Sequence, residues 1–165
     1  MIVRVKENTI SKIREKREFL IWLMRIKHHI KIQMMLSKYI QHGNTNVYIH
    51  SRNVAYYSFL FAKFLERKLK YRINYEILTV GAMFHDFFLY DWHETDGRPR
   101  LHGFRHPQIA SKNAEKYYDI NEEEKIIIES HMWPLTFRKF PKTPEAKIIC
   151  LIDKCCSTVE TFKRA

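Results

Sequence analysis

The sequence predicts an all-α protein, folded as one compact, single-domain bundle of about six to seven helices. Its 165 residues suffice for one domain with one hydrophobic core. Only four glycines and five prolines occur, which is few for a sandwich or barrel built on many tight turns. No stretch shows a convincing period-two alternation of apolar and polar residues, the pattern of a half-buried strand. The hydrophobic share of 45% is typical of a globular rather than a disordered chain.

The first helical region covers about residues 8–41, where apolar residues recur at steps of three and four and no proline interrupts them. The pattern breaks once, near His28 and His29, which predicts two helices packed together. Gly43 is a helix stop, and Asn44, Thr45 or Asn46 is the next N-cap. The apolar stripe predicted to face the core consists of Ile13, Phe19 or Leu20, Leu23, Ile26 or Lys27, Ile30 and Met34.

Five further helices are predicted, over about residues 47–70, 74–88, 104–118, 121–132 and from 143 onward. Asn74 caps the second of these, and Asn121 with Glu124 resembles a capping box at the fourth. Pro107 lies in the first turn of its helix, where the missing N–H costs nothing. Residues 91–100 form a polar loop. The apolar stripe of the first of the five is Val47, His50, Val54, Tyr57, Phe61 and Phe64, and the last carries Ile148, Ile149, Ile152, Cys156 and Val159.

Positive charge is concentrated in the N-terminal part of the chain. Residues 1–40 contain ten Lys or Arg and three Glu, so they carry +7 of the formal net charge of +11. Such a surface attracts polyanions, although a basic helix face is more often simply solvated. We divide the chain into a basic helical segment at 1–43, packed on the core, and a main helical domain at 44–165. Together they form one structural domain.

The cysteines and the early apolar residues predict a cytoplasmic protein without a membrane span. Three cysteines, two of them adjacent, do not make a disulfide framework or a zinc knuckle, and reduced thiols are the plain interpretation. The first residues are charged and lack a signal-peptide pattern. The longest early apolar run, Phe19–Met24, is far too short to cross a bilayer.

The most informative residues are polar ones that lie where the helical periods predict the core. His85 and Asp86 are adjacent within the apolar segment Val80–Asp91, and a buried carboxylate must be neutralised, hydrogen-bonded or bound to a metal. The other helices after the first each place one His or Asp on or beside the inward face. The complete set is His50, His85, Asp86, His106, His131 and Asp153.

Four histidines and two aspartates that point inward from five helices predict a metal site. A single histidine on an apolar face is more often a hydrogen-bonded core residue, so the prediction depends on the whole set. Imidazole and carboxylate suit Zn, Fe, Mn, Co or Ni, and six ligands exceed the need of one tetrahedral zinc. We therefore expect two metals bridged by Asp86. His102 competes with His106 as a ligand, and we prefer His106 because the apolar stripe continues from it.

The ordered set resembles the HD-domain superfamily of metal-dependent phosphohydrolases, over about residues 45–160. Three segments look like that family's first-histidine helix, its signature doublet and its closing aspartate, in this order: His50–Ala55, Met83–Asp86 and Leu151–Lys154. His106 and His131 match the subset that holds two metals. The chain departs from the family pattern at Leu89, where many relatives have a lysine. It also lacks the Gly-Tyr-Pro signature of the cyclic-di-GMP enzymes after His131, so that substrate is not implied.

The resemblance implies an HD-type metal-binding helical domain at 44–165 with two divalent ions, for which Fe, Mn, Zn, Ni and Mg are all compatible. Asp86 would bridge the ions and is the one residue assigned a catalytic role. One ion would be held by His50, His85, Asp86 and Asp153, and the other by Asp86, His106 and His131.

We therefore expect a hydrolase that uses this binuclear centre to activate water against a nucleotide or related small-molecule phosphate ester, as a phosphomonoesterase or phosphodiesterase. Arg105 and Lys154, each next to an expected ligand, are candidate contacts for the substrate phosphate. One alternative is a metal- or nucleotide-binding regulatory module that does not hydrolyse. A more distant one is nucleic-acid binding by the basic N-terminal helices.

Overall fold

The computed structural model describes residues 2–94 and 101–162, with side chains from residue 11 onward. The predicted polar loop at 91–100 therefore lies mostly outside the described residues. Within them the chain forms seven α-helices and one small hairpin, which confirms the all-α prediction. The elements are α1 (Ile2–Arg25), α2 (His29–Leu36), β1 (Ile40–His42), β2 (Thr45–Asn46), α3 (Val47–Leu69), α4 (Tyr75–Phe84), α5 (His102–Tyr118), α6 (Glu122–Ser130) and α7 (Pro144–Phe162).

Helices α3, α4 and α7 form the centre of the bundle. Helix α3 packs along α4 and α7, and α6 packs against α4, α5 and α7. Helices α1 and α2 pack against α3, and α1 also contacts α4. Four phenylalanines are among the largest fully buried side chains: Phe59, Phe84, Phe87 and Phe88. Within the described residues we find no helix suited to serve as a membrane span.

The N-terminal helical region breaks where the sequence predicts, but its inward face is only partly as predicted. Phe19, Leu23 and Ile26 are buried, and the break follows at His28, whose φ of 57° is left-handed. This break changes the helical phase, so α2 buries Ile32 and Leu36. The predicted inward positions Ile13, Ile30 and Met34, and the alternative Leu20, are exposed.

The segment between α2 and α3 is a short antiparallel hairpin, where the sequence predicted no strand. Strand β1 pairs with β2 through Ile40 opposite Asn46 and His42 opposite Thr45. Strands of three and two residues are too short to show a period of two, which explains the miss. Gly43 supplies the positive φ of 57° that the turn requires. The proposed boundary at 43/44 falls in this turn.

The start signals of three later helices are as predicted. The Asn46 side chain accepts a hydrogen bond from the backbone N–H of Ile49, which makes Asn46 the N-cap of α3. Asn74 caps α4 in the same way. At α6, Asn121 and Glu124 form the complete capping box. These caps satisfy backbone N–H groups in the first turns of α3, α4 and α6 and so fix where each helix begins.

Several helix boundaries and the buried stripe of α3 also differ from the prediction. Helix α2 ends at Leu36 rather than near 41, so Gly43 lies in the hairpin turn and is not a helix stop. Helix α4 ends at Phe84 rather than near 88, so the residues after it form a turn. Helix α5 begins at His102, which places Pro107 in its second turn rather than its first. Along α3, Tyr57 and Phe64 are exposed, although an apolar stripe assigned them to the core. Small residues of α3 take the inward positions, because α4 and α7 approach this helix closely. They are Ser51, Ala55, Ser58 and Ala62.

Gly81 of α4 is required by a close helix crossing. A Cβ atom at this position would lie 2.7 Å from Cγ2 of Ile127 in α6 and 3.3 Å from Cδ1 of Ile149 in α7. We expect Gly81→Ala to lower the free energy of unfolding by about 1–3 kcal/mol, because overpacking outweighs the better helix propensity of alanine. Urea unfolding of the metal-free protein, followed by circular dichroism, measures this.

Gly103→Ala is the matched control for this substitution. Its Cβ would meet the flexible end of Leu135, with Cδ2 at 3.1 Å, so the neighbour can move away. We expect a clearly smaller loss of stability than for Gly81→Ala. An equal loss in both variants would contradict the close crossing at Gly81.

Candidate metal centre

The structure brings all six predicted residues together in the middle of the bundle. His50 lies in α3, His106 in α5 and Asp153 in α7, whereas His85 and His131 are the C-cap residues of α4 and α6. Asp86 follows His85 in the turn after α4. All six are buried. Their roles as ligands remain predictions that rest on the geometry below.

The six residues form two groups that share Asp86. The first group is His50, His85, Asp86 and Asp153, and the second group is Asp86, His106 and His131. In each group every residue offers one donor atom, and these atoms all lie within 4.8 Å of one another. Four and three donors at this separation can surround one ion each.

The two oxygens of Asp86 face different groups. Oδ2 lies 3.2 Å from Nε2 of His85 and 3.6 Å from Nε2 of His50. Oδ1 lies 3.2 Å from Nε2 of His106 and 3.7 Å from Nε2 of His131. On the first side, Oδ1 of Asp153 adds a second carboxylate oxygen 3.1 Å from Nε2 of His50. Asp86 is therefore placed to bridge two ions.

Backbone hydrogen bonds fix which nitrogen of each ring faces the centre. Nδ1 donates to a main-chain carbonyl in three histidines, at 2.7 Å from His85 to Ala82, 3.1 Å from His106 to His102 and 2.6 Å from His131 to Ile128. A carbonyl oxygen only accepts, so the proton is on Nδ1. In the neutral rings Nε2 then carries a lone pair toward the centre.

Where the rings are neutral, these lone pairs face other acceptors, and a cation placed between them would remove the repulsion. Nε2 of His106 and Nε2 of His131 are 2.9 Å apart, and both face Asp86 Oδ1. Nε2 of His85 and Oδ1 of Asp86 are buried without a hydrogen-bond partner among the described residues. Acceptors this close repel one another unless a proton or a metal ion lies between them. The donor set therefore fits divalent metal ions.

The residues of the cluster differ in the direction in which their pKa values are shifted in the metal-free protein. Burial alone would lower the pKa of His50, but hydrogen bonds to the Asp153 and Glu160 carboxylates outweigh it and raise the pKa to about 9. Burial lowers the pKa of His131 to about 3, with help from the nearby charges of His106 and His85. Burial would also raise the pKa of Asp86, yet the charge of His85 and the nearby ring of His106 hold the pKa well below its usual range.

Metal binding should compete with these protons, so we expect affinity for Mn²⁺ to rise with pH. His50 keeps its proton below pH 9 in the metal-free protein, and an ion that binds Nε2 must displace it. Because the pKa is raised, the competition is strongest at low pH and disappears as the pH rises through 9. Affinity should increase about tenfold per pH unit between pH 6.5 and 8 for each proton displaced.

Calorimetric titration in two buffers with different ionisation enthalpies measures both the affinity and the protons released. The same titration with a chelator in place of the protein corrects for the pH dependence of the free ion. An affinity that stays constant from pH 6.5 to 8, with no proton release, would contradict the metal-free charge state described here.

Gln41 and Glu160 are among the residues that contact the cluster and were missed by the sequence interpretation. Gln41 in β1 donates a hydrogen bond from Nε2 to Oδ2 of Asp86 at 2.5 Å, and nothing in its short polar segment marks it as buried. Glu160 in α7 accepts a hydrogen bond from Nδ1 of His50 at 2.7 Å. The seven-residue step from Asp153 to Glu160 keeps both on one face of α7, and this spacing could have revealed it.

The remaining candidate residues lie at different distances from the cluster. His102 belongs to neither group: its ring stacks on His106 at 4.6 Å, and its Nδ1 lies 2.7 Å from the Tyr90 hydroxyl. Lys154 lies next to the second group and donates from Nζ to the carbonyl oxygen of His131 at 2.9 Å. Arg105 is exposed on α5. Phosphate contacts by Lys154 and Arg105 stay predictions.

A cavity of about 760 Å³ opens onto the cluster. Asp86, His106, His131 and Asp153 reach its lining, whereas His50 and His85 do not. Its walls combine aromatic and apolar side chains with polar ones, including Gln41, Trp92, Met132, Leu135, Lys154 and Ser157. This volume is typical of a site for a small molecule. Arg105 is not among the described residues that line it.

The bundle is all-helical, and its buried histidines and aspartates fit a site for metal ions. Residues 47–158 match the family model of the HD domain, and the chain belongs to this family, whose superfamily comprises metal-dependent phosphohydrolases. The match covers all six residues of the cluster. Neither a comparison with curated proteins nor one with solved structures gave a match.

Proposed function

We propose that the protein is a phosphohydrolase that cleaves a phosphate ester of a nucleotide or related small molecule at a two-metal centre. The observation that carries this proposal is that four Nε2 atoms approach the carboxylate of one buried aspartate, two at each of its oxygens. A hydrogen-bonded core needs no such convergence on one carboxylate, and wherever its rings are neutral it leaves acceptors opposed to acceptors. Two cations, one on each side of Asp86, satisfy all of them.

Two divalent cations held by the two groups would lower the pKa of a water molecule and neutralise phosphoryl oxygens as charge develops. The chain contributes the positions of the ligands. Hydrogen bonds from Nδ1 to the main chain lock the rings of His85, His106 and His131 in orientation. Gln41 holds the Asp86 carboxylate in the rotamer that presents one oxygen to each group.

The cavity supports a substrate with a phosphate at one end and a less polar body at the other. The ligands that reach the cavity are Asp86, His106, His131 and Asp153, so a phosphate would bind at that end. Trp92, Met132 and Leu135 provide an apolar wall against which a base or another organic group can pack. Lys154 adds a positive charge between His131 and Cys150, whose carbonyl oxygens its ammonium contacts at 2.9 and 3.1 Å.

Turnover assays with defined metals test this proposal. The metal-free protein, reloaded with Mn²⁺ or Fe²⁺, should hydrolyse an aryl phosphate monoester, an aryl phosphate diester or a member of a nucleotide panel. A chelator should abolish the activity, and renewed metal should restore it. If two ions bind and no substrate turns over with any metal, the hydrolytic proposal is wrong and a metal- or nucleotide-binding regulatory module takes its place.

A further inference from the structure

Glu160 contacts the ring nitrogen of His50 that faces away from the cluster. Its Oε2 accepts a hydrogen bond from Nδ1 at 2.7 Å, and the side chain is only 7% exposed. Its other oxygen, Oε1, accepts from Nδ2 of Asn53 at 2.9 Å. Both oxygens are thus engaged, so the carboxylate is held in one orientation against the imidazole.

His50 is the one histidine of the cluster whose Nδ1 contacts a carboxylate. The other three donate from Nδ1 to neutral carbonyl oxygens. A carboxylate behind an imidazole carries a full negative charge, which fixes the ring and makes the opposite nitrogen a stronger ligand. The carboxylate behind His50 therefore distinguishes the first group from the second.

The two groups also differ in charge and in access. The first group contains Asp153 in addition to the shared Asp86, and it has Glu160 behind it. The second group has Asp86 as its single carboxylate among the described residues. All three members of the second group line the cavity, whereas His50 and His85 are shielded from it.

We infer that Glu160 is a positioning residue that makes the first group the tighter of two unequal metal sites. This inference rests on the two-ion centre of the proposed function. Glu160 lies beyond residue 158, where the match to the HD domain ends, so its role follows from the structure of this chain. The first group then holds a resident ion, and the second group holds the ion that exchanges through the cavity.

Titration of the metal-free protein with Mn²⁺ tests the inference without reference to activity. The wild type should show two binding events of unequal affinity. Glu160→Gln keeps the shape of the side chain and removes its charge, so it should weaken the tighter event about 10- to 100-fold and leave the weaker one unchanged. Asn53→Ala, which releases Oε1 of Glu160, should weaken the same event by a smaller factor. If Glu160→Gln does not fold, Asn53→Ala tests the inference in its place.

Glu145→Gln is the matched control, because Glu145 is buried in the same helix and accepts a hydrogen bond from the backbone of Asn74 at 2.8 Å. It should leave both binding events unchanged. With Co²⁺ as the probe, the visible spectrum of the tight site should shift in Glu160→Gln but not in Glu145→Gln.

Unchanged tight affinity in folded Glu160→Gln, or equal weakening of both events, would overturn the inference. A wild type that binds a single ion would instead contradict the two-ion centre of the proposed function. In that case, weaker binding of this single ion in Glu160→Gln would still support the role of Glu160.

Discussion

Asp86→Asn is expected to lose both metal ions and to lower phosphoester hydrolysis at least about 1,000-fold. The asparagine offers a single neutral oxygen where the carboxylate gives one charged oxygen to each group, so neither site keeps its shared ligand. Ions bound in the two groups would supply several kcal/mol of charge stabilisation, and each 1.4 kcal/mol is tenfold in rate. The asparagine NH₂ can donate to an Nε2 atom of the cluster, so we expect the fold to persist.

Elemental analysis of protein purified without chelator, together with turnover, measures this result. Asp119→Asn is the matched control. Asp119 is exposed at the end of α5 with a φ of 50°, a conformation that asparagine also adopts, so both metal content and activity should stay at the wild-type level. Two equivalents of metal in Asp86→Asn would show that Asp86 is not the shared ligand.

His106→Ala is expected to reduce the bound metal from two equivalents to one and the activity about 100- to 1,000-fold. His106 places Nε2 3.2 Å from Oδ1 of Asp86 and 2.9 Å from Nε2 of His131, so its loss leaves the second group with two donors. The first group keeps all four of its donors. A centre with one ion retains part of the electrostatic stabilisation, which limits the loss of rate.

His102→Phe is the comparison that separates the two candidate histidines. The phenylalanine ring preserves the stacking on His106, and His102 contributes no donor to either group. This variant should keep two equivalents. One equivalent in both wild type and His106→Ala would end the two-metal interpretation, and a loss in His102→Phe alone would transfer the ligand role to His102.

The helical period was enough to place the cluster residues within or at the end of a helix on inward faces, whereas Asp86 lies in the turn after α4. His50 lies four residues before Val54, and His131 lies four after Ile127, so each shares a face with a core residue once the helix is assigned. Periodicity could not show that five faces converge on one point, because convergence depends on how α3 to α7 cross. The number of inward His and Asp residues suggested a common site, and the resemblance to the HD domain divided them into two groups.

The errors about which side chains of α3 and α7 are buried share one physical cause. An apolar stripe assigns the more hydrophobic of two neighbouring residues to the core, yet close helix packing selects by size and polar partners. Val159 is 51% exposed, whereas its neighbour Glu160 is buried against His50. The burial of Gln41 was not predicted for a related reason, since it depends on a partner 45 residues away and not on any local period.

The hairpin before α3 contains a residue that any fragment with an intact cluster must keep. The match to the HD domain starts at Val47, yet the amide of Gln41 is hydrogen-bonded to the aspartate that both groups share. A fragment trimmed to residues 47–162 would remove this donor and one wall of the cavity together. A fragment that is meant to keep the cluster and its cavity intact, alone or grafted onto another scaffold, should therefore begin before Ile40.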